Sequence, residues 1–193
     1  MRFEYAAGAT PIDADEALGL IPSHIATQAD LNTWEEANIV DGTRWITQQK
    51  IASNLNETLL RNLHRHMFNK TWRWAGTFRN SNKNIGVDWQ QISLELRNLL
   101  DNTTYQIKHQ TMTEDEIALR FHHRLVWIHA FPNGNGRHAR LITDALISDL
   151  GGEKFSWGEK RWGATSITRQ NYLSALRAAD YGHFESLREF LRQ

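Results

Sequence analysis

Twelve residues constrain this chain more than any others: His129-Ala-Phe-Pro-Asn-Gly-Asn-Gly-Arg-His-Ala-Arg140, a polar, glycine-rich turn set between two apolar runs. Upstream, Glu114 to Ile128 carries Ile117, Leu119, Phe121, Leu125, Val126 and Ile128, a density that predicts a largely buried helix. Pro132 and the Gly134/Gly136 pair stop that helix and permit torsions that a β-carbon forbids. From Asn135 or Gly136 the pattern Ala139, Leu141, Ile142, Ala145, Leu146, Ile147 predicts a second helix, ending at Gly151-Gly152. A loop that empties into a helix N-terminus meets free N–H groups and the positive end of the helix dipole, so it favours anions. Arg137 and Arg140 lie one turn apart there, where cations oppose the dipole unless an anion bridges them. Histidine exchanges a proton near neutral pH, and His129 stands just before the loop. The stretch reads as a polyphosphate site with a base at its edge.

The spacing His129-x-Phe131-x-Asn133-Gly134-Asn135-Gly136-Arg137-x-x-Arg140 resembles the signature of the Fic family, HxFx(D/E)GNGRxxR. One position departs: Asn133 stands where the family has Asp or Glu. The resemblance implies an all-α fold, a Fic-type helical bundle with one short β-hairpin flap. It also implies a protein adenylyltransferase, moving AMP from ATP to a Ser, Thr or Tyr hydroxyl of a target protein. In that reading His129 is the general base. Gly134, Asn135, Gly136, Arg137 and Arg140 bind the nucleotide, the Asn135 side chain and loop backbone on the α- and β-phosphates and the arginines on the β/γ end. Phe131 packs inward and fixes the loop. ATP is the expected substrate and Mg²⁺, or Mn²⁺, the expected metal, with Asn133 as its candidate ligand. A carboxamide is a poorer donor to a hard dication than a carboxylate.

Residues 67–92 depart from the helical pattern. Trp72, Trp74, Gly76 and Phe78, then Asn80-Ser-Asn-Lys-Asn84, then Ile85, Val87 and Trp89 predict two extended runs around a polar turn. Trp74-Ala75-Gly76 is similar to the start of the family's flap, so Phe78, Arg79, Ile85, Gly86 and Val87 are expected to align a target peptide by backbone hydrogen bonds. Trp72 and Trp74 read as core anchors. In many Fic proteins an inhibitory helix carries (S/T)xxxE(G/N), whose glutamate pairs with the second arginine of the signature. No exact match occurs: the only Ser/Thr-x-x-x-Glu, Ser53 to Glu57, is followed by Thr58 and lies in what reads as a core helix, so Glu35 and Glu36 are the loose candidates, with a solvated acidic face as their plainer reading.

The remaining chain is taken as follows. Residues 1–22 read as an irregular arm. Thr27 or Asp30 caps a helix through Leu31, Trp34, Ala37 and Ile39 that Asp41-Gly42 closes, and a second helix runs from Arg44 to His66. Another covers Ile92 to His109, and Thr113 with Glu116 forms a capping box for the helix leading into the signature. Gly151 to Gly163 is a loop with Phe155, Trp157 and Trp162 as a lid or adenine-side wall, surface packing being their plainer reading. Ser166 or Thr168 caps a helix through Tyr172, Leu176 and Ala179, and a last helix holds Phe184, Leu187, Phe190 and Leu191. Residues 1–44 are thus an N-terminal arm and helix, a candidate regulatory element, and residues 45–193 the Fic domain.

Composition excludes several classes. At 193 residues and 40% hydrophobic the chain suits one core, and 22 basic against 22 acidic residues argue against a broad nucleic-acid or anionic-membrane surface. No cysteine is present, which rules out disulfides and thiolate sites, and there is no HExxH pair for zinc. His122, His123 and His138 read as structural or surface residues. No run approaches the roughly twenty apolar residues of a membrane helix, so the expected compartment is the cytoplasm. Two alternatives stand beside AMP transfer: another nucleotide or phosphate transfer from the same loop, and a weakened Fic module restrained by an antitoxin-like protein.

Overall fold

Eight α-helices build the described part of the protein, residues 11–158 and 165–193 of this computed structural model. α1 is a single turn, Ala14–Ala17; α2 runs Gln28–Ile46, α3 Glu57–Phe68, α4 Ile92–His109, α5 Glu114–Ile128, α6 Asn135–Asp149, α7 Thr165–Asp180 and α8 Glu185–Arg192. The start of α2 is fixed reciprocally: the Thr27 hydroxyl accepts from the Asp30 N–H at 3.1 Å, and the Asp30 carboxylate accepts from the Thr27 N–H at 3.0 Å. α2 does not close at Asp41-Gly42. A Cβ at Gly42 would lie 2.5 Å from Met67 Cγ, so this glycine lets α2 approach α3 closely. The expected helix from Arg44 to His66 is broken, because α2 ends at Ile46 and Asn56 starts α3 afresh by accepting from the Leu59 N–H at 2.9 Å. Thr113 caps α5 as expected, but the Glu116 carboxylate turns to Arg120 and Arg188 and does not complete the box. α7 already begins at Thr165, upstream of both residues expected to cap it.

Two apolar cores hold these helices. The larger gathers α2 to α6 around Leu31, Leu60, Leu63, Phe68, Phe121 and Ile142; in the smaller, α7 and α8 cover Leu119 and Ile147 with Ala175, Leu187 and Leu191. Burial of each such side chain contributes about 1.5–3 kcal/mol before chain entropy is set against it. Phe155 and Trp157 belong to the smaller core, while Trp162, the third aromatic of the expected lid, lies outside the described residues, as do residues 1–10 of the expected arm.

The expected β-hairpin is absent: among the described residues there is no strand, and the one bridge pairs Leu20 with Trp72. Residues 77–88 instead form an irregular loop. Its two limbs are joined by a side chain where a hairpin would use a backbone ladder: the Arg79 guanidinium donates to the Ser81 and Val87 carbonyls. Gly86, at φ +100°, takes the chain out of the extended region where the second strand would run. Trp72 and Trp74 are the anchors they were expected to be, their rings stacked 4.9 Å apart. The arm before α2 straps over this loop, with Lys83 Nζ 2.6 Å from both Asp13 and Glu16 and the Trp74 indole N–H donating to the Glu16 carbonyl at 3.0 Å.

Candidate active site

α5 and α6 meet at the signature turn, and the residue that ends α5 is His129. It adopts left-handed torsions, φ 54° and ψ 57°, a conformation that costs a non-glycine residue roughly 1–2 kcal/mol. Surrounding contacts hold it there. The Arg79 N–H donates to the Ala130 carbonyl at 3.0 Å, Arg79 Nε to the His129 carbonyl at 2.7 Å, and the Val87 N–H to the Ile128 carbonyl at 3.4 Å. Arg79 is 2% exposed and, among the described residues, pairs with carbonyls and no carboxylate. Gly86 completes the seat, since a Cβ there would stand 2.7 Å from His129 Cβ. Of the residues expected to align a peptide, Arg79 is therefore a buried clamp, and Phe78 packs inward on Phe131 at 5.4 Å. Ile85 is exposed, and Val87 lies half-buried against the main core.

Burial, then the Arg79 cation, then Lys83 push the His129 imidazole down to about 4, against a hydrogen bond to the Val126 carbonyl that favours the charged ring. The ring is thus neutral at physiological pH, the state a base requires.

The turn itself is built from the inside. Asn135 uses both ends of its carboxamide on Phe131, accepting from its N–H at 2.9 Å and donating to its carbonyl at 2.8 Å. The side chain expected on phosphate oxygens is engaged in stapling the loop, and the N–H groups of a first helical turn are the donors there that suit an anion. Gly134 sits at φ 78°, and a Cβ there would lie 2.6 Å from the Phe68 ring, so only glycine fits. Gly136 has nothing within 4 Å of its Cβ position. Phe131 packs inward as expected, its ring stacked 3.8 Å from that of His64. His64 Nδ1 accepts from the Gly76 N–H at 3.0 Å, so the proton lies on Nε2, which donates to the Asn133 carbonyl at 3.0 Å. Desolvation keeps this fully buried ring neutral, well below the usual histidine range. His64 went unrecognised in the sequence, although it stands among Leu60, Leu63 and Met67 on the apolar stripe of α3, where a polar residue needs fixed partners. His138 is likewise structural, bonded to the Leu60 carbonyl at 2.9 Å.

The arginines differ. Arg137 lies over the Phe68 ring and donates to Glu35 Oε2 at 2.6 Å and to Asn133 Oδ1 at 3.4 Å. Arg140 has no carboxylate within 4 Å among the described residues; Asp144, the expected i, i+4 partner, accepts from the Trp157 indole at 3.0 Å with both oxygens. Burial and the cations of Arg137 and Arg169 hold Arg140 below its usual value, partly opposed by Tyr172 and Asp144. A buried guanidinium that feels two other cations is a place where an anion is favoured. Glu35 therefore reaches the first arginine, while Glu36 is exposed.

The residues present do not make a protein-held magnesium site. Asn133 Oδ1 accepts from the Gly134 N–H at 2.7 Å and faces Arg137, and among the described residues no three acidic or imidazole side chains converge to hold a cation.

A sequence profile described as the Fic/DOC family matches residues 54–147. No curated protein sequence matches the chain. Among solved structures, a Fic domain containing signaling protein from Bacteroides thetaiotaomicron superposes with a TM-score of 0.71 at 19% identity, covering 89% of this chain and 71% of that one. The BepC effector of Bartonella tribocorum, solved with bound AMPPNP, gives 0.70 at 18% identity over 93% and 97% of the two chains. The N-terminal Fic domain of a Bartonella quintana cell filamentation protein, solved with bound ADP, gives 0.66 at 20% over 88% and 86%. A signature turn between two packed helices, the profile match around it and the shared architecture agree: residues 54–147 match the Fic/DOC family profile, and the chain has the fold of these Fic domains.

Proposed function

We propose that the protein transfers AMP from ATP to a Ser, Thr or Tyr hydroxyl of a target protein. The observation that carries this reading is a neutral, buried imidazole, His129, at the last turn of α5, directly ahead of a helix N-terminus that also bears Arg137 and Arg140. The nucleotides bound to two neighbours of this fold, AMPPNP and ADP, support it. The hydroxyl oxygen attacks the α-phosphorus in line, its proton passes to the imidazole, and the bond from the α-phosphorus to the bridging oxygen breaks. Pyrophosphate leaves with its charge met by the two guanidiniums and the first-turn amides. Any divalent cation would be held chiefly by the nucleotide's own phosphates, since Asn133 is engaged within the loop.

Incubation with α-labelled ATP and a lysate tests the proposal. Label is expected on protein and is expected to fall at least about a hundredfold in His129→Ala, the usual size of a lost base; label retained in that variant removes His129 from the role. Transfer from γ-labelled ATP alone would point to a kinase. A second reading follows from Asn133: a module with weakened transfer, restrained by an antitoxin-like protein. It predicts that ATP is bound while no label moves.

A further inference from the structure

Resting on the nucleotide reading above, we infer that Glu35 is a positioning residue for Arg137, a fixed part of the anion site that aims the guanidinium and not a detachable lock upon it. Glu35 is 5% exposed, and each carboxylate oxygen has one short partner: Oε1 accepts from the Trp72 indole N–H at 2.6 Å and Oε2 from Arg137 at 2.6 Å. Trp72 is itself buried and stacked on Trp74, so the carboxylate is anchored from behind. Arg137 is then bounded by Glu35 at one nitrogen, by the Phe68 ring at 4.9 Å and by Asn133 at 3.4 Å. A guanidinium has five N–H donors, and these contacts engage two nitrogens while leaving the side chain about one-third exposed to receive a ligand.

A lock carried on a helix must leave with it, and α2 is tied down along its length. Asn38, one turn beyond Glu35, donates to the His66 carbonyl at 3.2 Å and accepts from the Lys70 N–H at 2.9 Å and the Thr71 hydroxyl at 3.3 Å, which ties α2 to the end of α3. Gly42 admits Met67 against the helix backbone, and Leu31 and Ile46 lie in the main core. Withdrawing α2 would expose that core. A permanent carboxylate behind an arginine restricts the rotamers of a long side chain and so lowers the ordering cost of binding an anion.

The experiment is equilibrium binding of ADP and AMP to the full chain, which needs no turnover. Glu35→Ala is expected to weaken ADP about tenfold and leave AMP unchanged, because AMP lacks the phosphate that Arg137 meets. Glu35→Gln, which keeps the shape and an oxygen for Trp72, is expected to fall between wild type and Glu35→Ala. Arg137→Ala is expected to match Glu35→Ala, and the double variant to lose no more than either alone. Tighter ADP binding in Glu35→Ala overturns the proposal in favour of a lock. Unchanged ADP binding, or equal losses for ADP and AMP, overturns it in favour of a purely structural contact. Wild-type protein that binds neither nucleotide sinks the nucleotide reading and this inference together.

Discussion

At the scale of single residues, the polar groups at the signature turn divide into those that build it and those left to meet a ligand. Asn135 and His64 build it, one stapling Phe131 to itself and the other fixing the Asn133 carbonyl. His129, Arg137, Arg140 and the amides around Gly136 are what remains. Gly86 belongs with the builders although it lies 43 positions from His129 in sequence. Its φ of +100° and the 2.7 Å approach to His129 Cβ make Gly86→Ala costly on two counts. Strain of roughly 1–3 kcal/mol is expected, seen as a drop of several degrees in thermal midpoint. Transfer should fall further than stability accounts for, because the displaced group is the proposed base, His129. A variant with an unchanged midpoint and full transfer would show that the seat tolerates a methyl group.

At the scale of elements, the loop of residues 77–88 shows how one buried side chain replaces a strand pair. Arg79 bonds carbonyls at Ser81, Val87, Ile128 and His129, joining the loop limbs to each other and to the end of α5. Arg79→Met removes every one of these donors and leaves buried carbonyls without partners, at about 1–3 kcal/mol each where water cannot enter. The expected outcome is a stability loss of about 3 kcal/mol or more in urea, with backbone amides of Arg79 and Val87 exchanging at least about tenfold faster. Unaltered exchange at both amides would mean the loop is held by something else, the Lys83 contacts with Asp13 and Glu16 being the next in line.

At the scale of the whole molecule, several histidines are folded in as neutral groups. Burial holds His122 at about 3, with the Arg140 cation adding to it, and His138 at about 4; His129 is also near 4, and His64 lies well below its ordinary value. The unfolded chain protonates such rings near 6.5, so below that pH the unfolded state binds more protons and stability falls as pH drops. The loss sets in below about pH 6.5 and continues to about pH 4, on the order of 2 kcal/mol per ring between pH 7 and pH 5 as an upper value. Urea midpoints at pH 7 and pH 5 check this. Equal midpoints would mean that the rings are protonated in the folded protein.

Much of this protein was legible in its sequence because the relevant physics is local. The helices from Ile92, Glu114 and Asn135 follow from apolar periodicity and caps within a few residues, and the signature turn follows from glycines and a proline acting on their own torsions. Where contacts are distant in sequence, the pattern misled. Gly42 looked like a helix stop and is a close approach to Met67; Phe78 to Val87 looked like strands and are a loop closed by Arg79. A carboxylate at position 35 reads as solvated until Trp72 and Arg137 are brought to it from 37 and 102 residues away. The sequence by itself determined the helices from Ile92, Glu114 and Asn135, the anion-favouring turn and its candidate base. Only the tertiary structure decided which polar side chains are consumed in holding that turn, because hydrogen-bond partners in a buried site are chosen by packing and not by spacing along the chain.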